Sequence, residues 1–193
     1  MAGSLPLSRC PIDMESRATW CWATYFNLAS KGSTSVLDHE LTIHASYYTP
    51  VDRTLIPTGQ IARVDGTAFD FRQPVVLRRA LSATHPQLGI AGGFDHNFIL
   101  HRRWAGLVRA ATLHEPRSGR VLEVSTTEPG LQFYDGHLLD RATTDAHGCV
   151  FDRYAPVSRD SARSGLPSSP AFPLRRTAAH RTVSLDDEVG VSD

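Results

Sequence analysis

No stretch of this sequence approaches the roughly 18 consecutive apolar residues of a membrane span. The opening residues, Met1-Ala2-Gly3-Ser4-Leu5-Pro6-Leu7, have neither the charged lead nor the apolar stretch of a secretory signal. Together these absences predict a cytoplasmic protein with no membrane partner. Cysteine is scarce: Cys10, Cys21 and Cys149 are odd in number and far apart, which fits neither a disulfide framework nor zinc-ligand spacing, so reduced thiols are expected. Excess charge is absent too. The 20 basic residues balance the 20 acidic ones, giving a formal net charge of +0, so there is no global field to gather nucleic acid, and a neutral small molecule is the more natural partner. No internal repeat is visible.

What is present suits a globular chain. At 193 residues with 41% hydrophobic content, the sequence can enclose one core. Pro6 and Pro11 interrupt the first residues, and Trp20-Cys21-Trp22 to Leu28 reads as a buried strand in which Tyr25 and Asn27 need polar partners. Lys31 to Ser35 is a loop. From His39, Leu41, Ile43 and Ala45 alternate with Glu40, Thr42, His44 and Ser46, the period of a strand. Pro50, Pro57-Thr58-Gly59 and Asp65-Gly66 then leave room for short extended pieces and none for helices. Val75 to Leu88 suits a short helix or coil. Leu107 to His114 and Arg120 to Thr127, joined at Pro116-Arg117-Ser118-Gly119, read as a hairpin, and Glu128 to Tyr134 as an aromatic strand with Gln132 its one strongly polar side chain. Many short strands punctuated by turns predict an all-β sandwich or barrel. After Arg153 the composition shifts to Ser, Arg, Pro and Ala, and the acidic tail from Ser184 to Asp193 is expected to fray.

One polar triplet stands inside an apolar run, Gly92-Gly93-Phe94-Asp95-His96-Asn97-Phe98-Ile99-Leu100. Strand alternation puts Phe94, His96 and Phe98 on one side and Asp95, Asn97 and Ile99 on the other. A carboxylate and an amide on one face suit a ligand with several hydroxyls. The same nine residues also read as a surface turn followed by an edge strand. His39, His44 and His101 are expected to make structural hydrogen bonds or face solvent, and no His pair has zinc spacing with a third partner.

Seven blocks in order, Tyr25-Phe26-Asn27-Leu28, Leu37 to Ile43, Tyr48-Thr49-Pro50-Val51-Asp52, Leu55-Ile56-Pro57-Thr58-Gly59, Gly66 to Phe71, Gly93 to Phe98 and Thr126 to Tyr134, resemble the aldose 1-epimerases, or galactose mutarotases. The resemblance runs from about Tyr25 to Asp140 and covers the later part of a family member. It implies a partial galactose mutarotase-like supersandwich, an antiparallel β-sandwich. Residues 25–152 would form its C-terminal part, between a poorly matched segment 1–24 and a divergent, partly disordered segment 153–193. The implied reaction interconverts the α and β anomers of a free hexose such as galactose or glucose, with no metal or cofactor. A base takes the anomeric hydroxyl proton and an acid protonates the ring oxygen, so the ring opens and recloses.

Carried over residue by residue, the resemblance makes Asp95 and Gln132 the holders of sugar hydroxyls and Tyr25 a neighbour of the catalytic block. The acid position, a histidine in the family, is Ala23 here. His96 lies near the implied cleft, but alternation turns it away from Asp95. The base position falls on Asp160 when read without a gap from Gln132, and on Ala162 when anchored at Leu166-Pro167. Arg159 and Arg163 beside Asp160 suit a solvated loop. The blocks thus predict a mutarotase, with two alternatives: a catalytically impaired sugar-binding remnant, or a truncated, non-enzymatic fragment whose exposed sheet edges self-associate.

Overall fold

Alternating buried and half-buried residues along the longer strands build two antiparallel sheets. The computed structural model describes residues 24–29, 35–101, 106–139, 152–155, 157–160 and 181–187. In chain order the elements are β1 (Thr24–Phe26), β2 (Glu40–Ile43), β3 (Ala45–Thr49), β4 (Ala62–Arg63), β5 (Val75–Val76), α1 (Leu77–Leu81), α2 (Pro86–Ala91), β6 (Asp95–Leu100), β7 (Val108–His114), β8 (Arg120–Thr126), β9 (Gly130–Tyr134), β10 (Val157–Asp160) and β11 (Arg181–Asp187). One sheet runs β1-β10-β9-β6-β3-β4 and the other β11-β8-β7-β2-β5. This is the all-β sandwich expected from the turn spacing.

The core lies between inward faces of the two sheets. From the six-stranded sheet it takes Tyr48, Phe98, Leu131 and Phe133, and from the other Leu41, Ile43, Leu113 and Leu122. Rings dominate it: Tyr48 stacks on Phe69 at 4.3 Å between centroids, while Phe71, Phe94 and Phe133 meet edge-on or tilted at 5.2–5.9 Å, separations that aromatic quadrupoles favour. Among the described residues no helix is long and apolar enough to cross a membrane.

Three expectations need correction or refinement. The single strand expected from His39 to Ser46 is two strands in different sheets. At His44 the chain leaves β2 and joins β3 across the sandwich, and the His44 N–H donates to the Ala110 carbonyl at 2.9 Å while that of Ile43 donates to Phe71 at 2.7 Å. An unbroken apolar alternation carries no mark of a change of sheet, because both halves face the same core. The helix expected near Val75 to Leu88 is two short ones, the second running on to Ala91 and ending on Gly92, whose φ of 78° is the left-handed cap glycine favours. Ser184 to Asp187, expected to fray, complete β11 in register with Glu123 to Arg120 of β8. Trp20, Trp22 and the three cysteines lie outside the described residues. Asn27 finds its partners, donating from Nδ2 to the Ala155 carbonyl at 2.7 Å and accepting the Ala29 N–H at 3.0 Å.

Candidate functional site

The site follows from the register of four neighbouring strands. β6 and β9 pair Asp95 with Tyr134 and Asn97 with Gln132. β10 pairs with β9 so that Ser158 faces Tyr134 and Asp160 faces Gln132, and β1 sets Tyr25 opposite Ser158. Cross-strand partners share a face. By register, the backbone positions of Asn97, Gln132 and Asp160 form one row and those of Asp95, Tyr134, Ser158 and Tyr25 the next. The alternate residues, His96, Phe98, Leu131 and Phe133, are buried in the core direction.

Asp95 and Gln132, 37 positions apart in the chain, are in contact. Gln132 Nε2 donates to Asp95 Oδ1 at 2.7 Å. That bond leaves the second carboxylate oxygen and the Gln132 amide oxygen as acceptors without another partner among the described residues. Two adjacent acceptors, both half-buried, match two hydroxyl donors of one small molecule. Burial raises the Asp95 carboxyl above its ordinary range, against the opposing pull of the Gln132 hydrogen bond; the site holds a carboxylate that water does not fully solvate. Asn97, beside Gln132, is 1% exposed, and both ends of its amide lack a hydrogen-bond partner. A buried amide without partners costs about 1–3 kcal/mol.

His96 does not belong to this face. It is buried on the core side, where its Nδ1 accepts the Asp95 N–H at 3.1 Å and its Nε2 lies 3.0 Å from Gln87 Oε1. An acceptor at Nδ1 fixes the proton on Nε2, and burial first, then His85 and His137, pushes the ring down to about 3. It is a neutral structural group. His39 is likewise structural: it is buried, with Nε2 accepting the Leu28 N–H at 3.1 Å, while His101 meets Ser46 Oγ at 2.7 Å at the surface.

Asp160 corrects one expectation. Its flanking arginines suggested a solvated loop, but it is the last residue of β10 and its Cα partner is Gln132. The gap-free reading from Gln132 places it there in sequence, and the ladder places its backbone there in space. Ala23 and the competing Ala162 lie outside the described residues. Sequence reasoning missed Asp135 and His137, which follow β9 and are enclosed beneath the turn leading to Asp95. The Asp-x-His spacing directly after an aromatic strand was the available signal. Among the described residues no group of three His, Cys, Asp or Glu is placed to hold a metal ion.

Residues 17–171 match the family described as Aldose 1-epimerase. The chain belongs to that family. Over 132 residues it is 49% identical to galactose mutarotase of Sus scrofa and 48% identical to that of Homo sapiens, covering 68% of this chain in each case. Aldose 1-epimerase of Escherichia coli is 36% identical over 130 residues. The matched part is 37% of the length of the two mammalian relatives and 35% of the bacterial one. Among solved structures, the galactose 1-epimerase of Lactobacillus acidophilus superposes with a TM-score of 0.64 at 25% identity, over 84% of this chain and 47% of that one. The epimerase homologue from C. elegans gives 0.67 at 23% identity, over 86% and 50%, a likeness of fold. The aldose 1-epimerase fold is thus represented here by about half the length of its solved members.

Proposed function

We propose that this chain binds a free hexose on the Asp95–Gln132 face and carries the base side of an aldose 1-epimerase reaction. The contact between Asp95 and Gln132 carries the reading, because it turns two distant polar residues into one bidentate acceptor for vicinal hydroxyls. Galactose and glucose are the first candidates. Asp160, whose backbone pairs with that of Gln132, is the proposed base that takes the anomeric hydroxyl proton, and Tyr25, one row away in the ladder, is a proposed sugar contact. The proton for the ring oxygen needs a donor that Ala23 cannot be, and His96, neutral and turned to the core, does not replace it.

Ala23 favours a second reading, in which the chain holds the sugar without turning it over. Polarimetry on freshly dissolved α-galactose separates the two. A rate above buffer that disappears in Asp160→Asn supports catalysis; a rate equal to buffer, with heat of galactose binding in calorimetry, leaves binding alone. No heat at tens of millimolar sugar removes both. A cytoplasmic location and self-association through sheet edges complete the proposal, the latter resting on the strands that end each sheet.

A further inference from the structure

An ionisable pair, Asp135 and His137, lies beside the site and is used by nothing in the sugar reading. Asp135 is fully enclosed and His137 is 4% exposed. His137 Nδ1 is 2.7 Å from Asp135 Oδ1, and its Nε2 is 2.8 Å from the carbonyl of Ala91, the last residue of α2. A backbone carbonyl can only accept, and so can an ionised carboxylate. A neutral imidazole has one N–H to give, so only the doubly protonated ring donates to both.

The pair also meets the segment that delivers Asp95. Asp135 Oδ2 accepts the Phe94 N–H at 3.0 Å, and the Asp135 N–H donates to the Phe94 carbonyl at 3.1 Å. Asp135 Oδ1 also accepts the His137 N–H at 3.1 Å. The His137 ring lies so close to Gly93 that a Cβ there would stand 2.6 Å from its Cγ and Nδ1. Ala91, Gly93 and Phe94, all within four residues of Asp95, therefore all meet the Asp135–His137 pair. The Tyr134 ring, edge-on to His137 at 5.3 Å, belongs to the Cα partner of Asp95.

We infer that Asp135 and His137⁺ are positioning residues for the Asp95 carboxylate: their ion pair ties the end of α2 and the Gly92–Phe94 turn to the end of β9, and so fixes where Asp95 enters β6. This rests on the reading of Asp95 as a sugar ligand. The ionisable groups around the His137 ring are Asp135 after β9, and Asp95 and His96 on β6, with the Tyr134 ring against it. Of these, the His137 cation draws the Asp95 carboxyl down and Asp135 pushes it up. Loss of the His137 charge leaves two carboxylates near each other with no cation beside them.

Side-chain nitrogen NMR of the sugar-free chain near neutral pH tests the pair directly. Protons on both His137 nitrogens are expected; a ring protonated on one nitrogen overturns the inference. In His137→Gln, the Asp95 carboxyl followed by carbon NMR should titrate at higher pH than in the unaltered chain, a response that a merely structural histidine would not produce. An unmoved Asp95 titration in the folded variant overturns the positioning role, and if the variant does not fold, the nitrogen measurement on the unaltered chain decides. Galactose affinity in the folded variant should weaken about tenfold, the scale of one charge-assisted hydrogen bond. An unaltered chain that takes up no galactose removes the function proposed above, while the two NMR measurements still decide the pair.

Discussion

Asp95, the proposed sugar ligand, carries a charge that works against folding. Burial holds its carboxyl above the ordinary carboxylate range, so the ionised form is less favourable in the folded chain than in the unfolded one. For an acid with a raised pKa, the linked stability is greatest at low pH and is lost as pH rises through the ordinary value toward the folded one. At pH 7 the charge therefore costs stability. Asp95→Asn keeps an oxygen for Gln132 and removes the charge, so it should raise the melting temperature while weakening galactose binding in calorimetry. A lower melting temperature would mean the carboxylate stabilises the fold. His96 works in the other direction. Its folded value of about 3 lies below the 6.5 of a free histidine, so its contribution is fully present above pH 6.5. It is lost as pH falls from there toward 3, at about 1.4 kcal/mol per pH unit. Urea midpoints at pH 7 and pH 5 should differ accordingly, and the difference should shrink in His96→Gln.

Among the elements, α2 shows how a short helix is held by partners rather than by propensity. Six residues are too few to be stable alone. Pro86 at the first turn, the His85 ring accepting the Gln87 N–H, and Gly92 in the left-handed region define its ends. Gln87 then fastens it: Oε1 accepts the Val51 N–H at 2.8 Å and faces His96 Nε2 at 3.0 Å, while Nε2 donates to the Val51 carbonyl at 3.1 Å. Gln87→Ala should cost roughly 2 kcal/mol in chemical denaturation, since it strands a buried imidazole N–H and one backbone pair; a cost within about 0.5 kcal/mol, the range of ordinary surface changes, would show that water replaces the amide. None of this was legible in sequence, because Gln87 reads as an exposed helix residue until Val51 and His96 are brought to it. The β7–β8 hairpin was legible, since its turn residues and its alternation agree and both are local. The split of β2 from β3 at His44 was not, because the period of two continues across it.

At the scale of the whole molecule, the two rows of site residues exist only because β1, β6, β9 and β10 come together from four distant parts of the chain. Sequence alternation put Asp95 and Asn97 on one face, and the resemblance proposed Gln132 and Tyr25 as sugar contacts. The placement of Asp160 opposite Gln132 needed the ladder, since β10 sits in a segment whose composition reads as loop. The same blindness hid β11. Seven cross-strand partners, Arg181 with Thr126 through Asp187 with Arg120, cover the outer side of β8. The other strands that end the two sheets, β1, β4 and β5, are only three, two and two residues long, and short edges pair poorly with other chains. β11 is thus the long edge among the described residues, and next to it in the sheet is β8, whose Leu122, Val124 and Thr126 are buried. Removing residues 181–193 should expose the hydrogen-bonding edge of a seven-residue strand, lower the melting temperature, and make both melting and sedimentation depend more steeply on protein concentration than in the intact chain. If the shortened chain instead melts as before and sediments as the same single species, β11 contributes nothing to covering β8, and self-association has to run through one of the short edges.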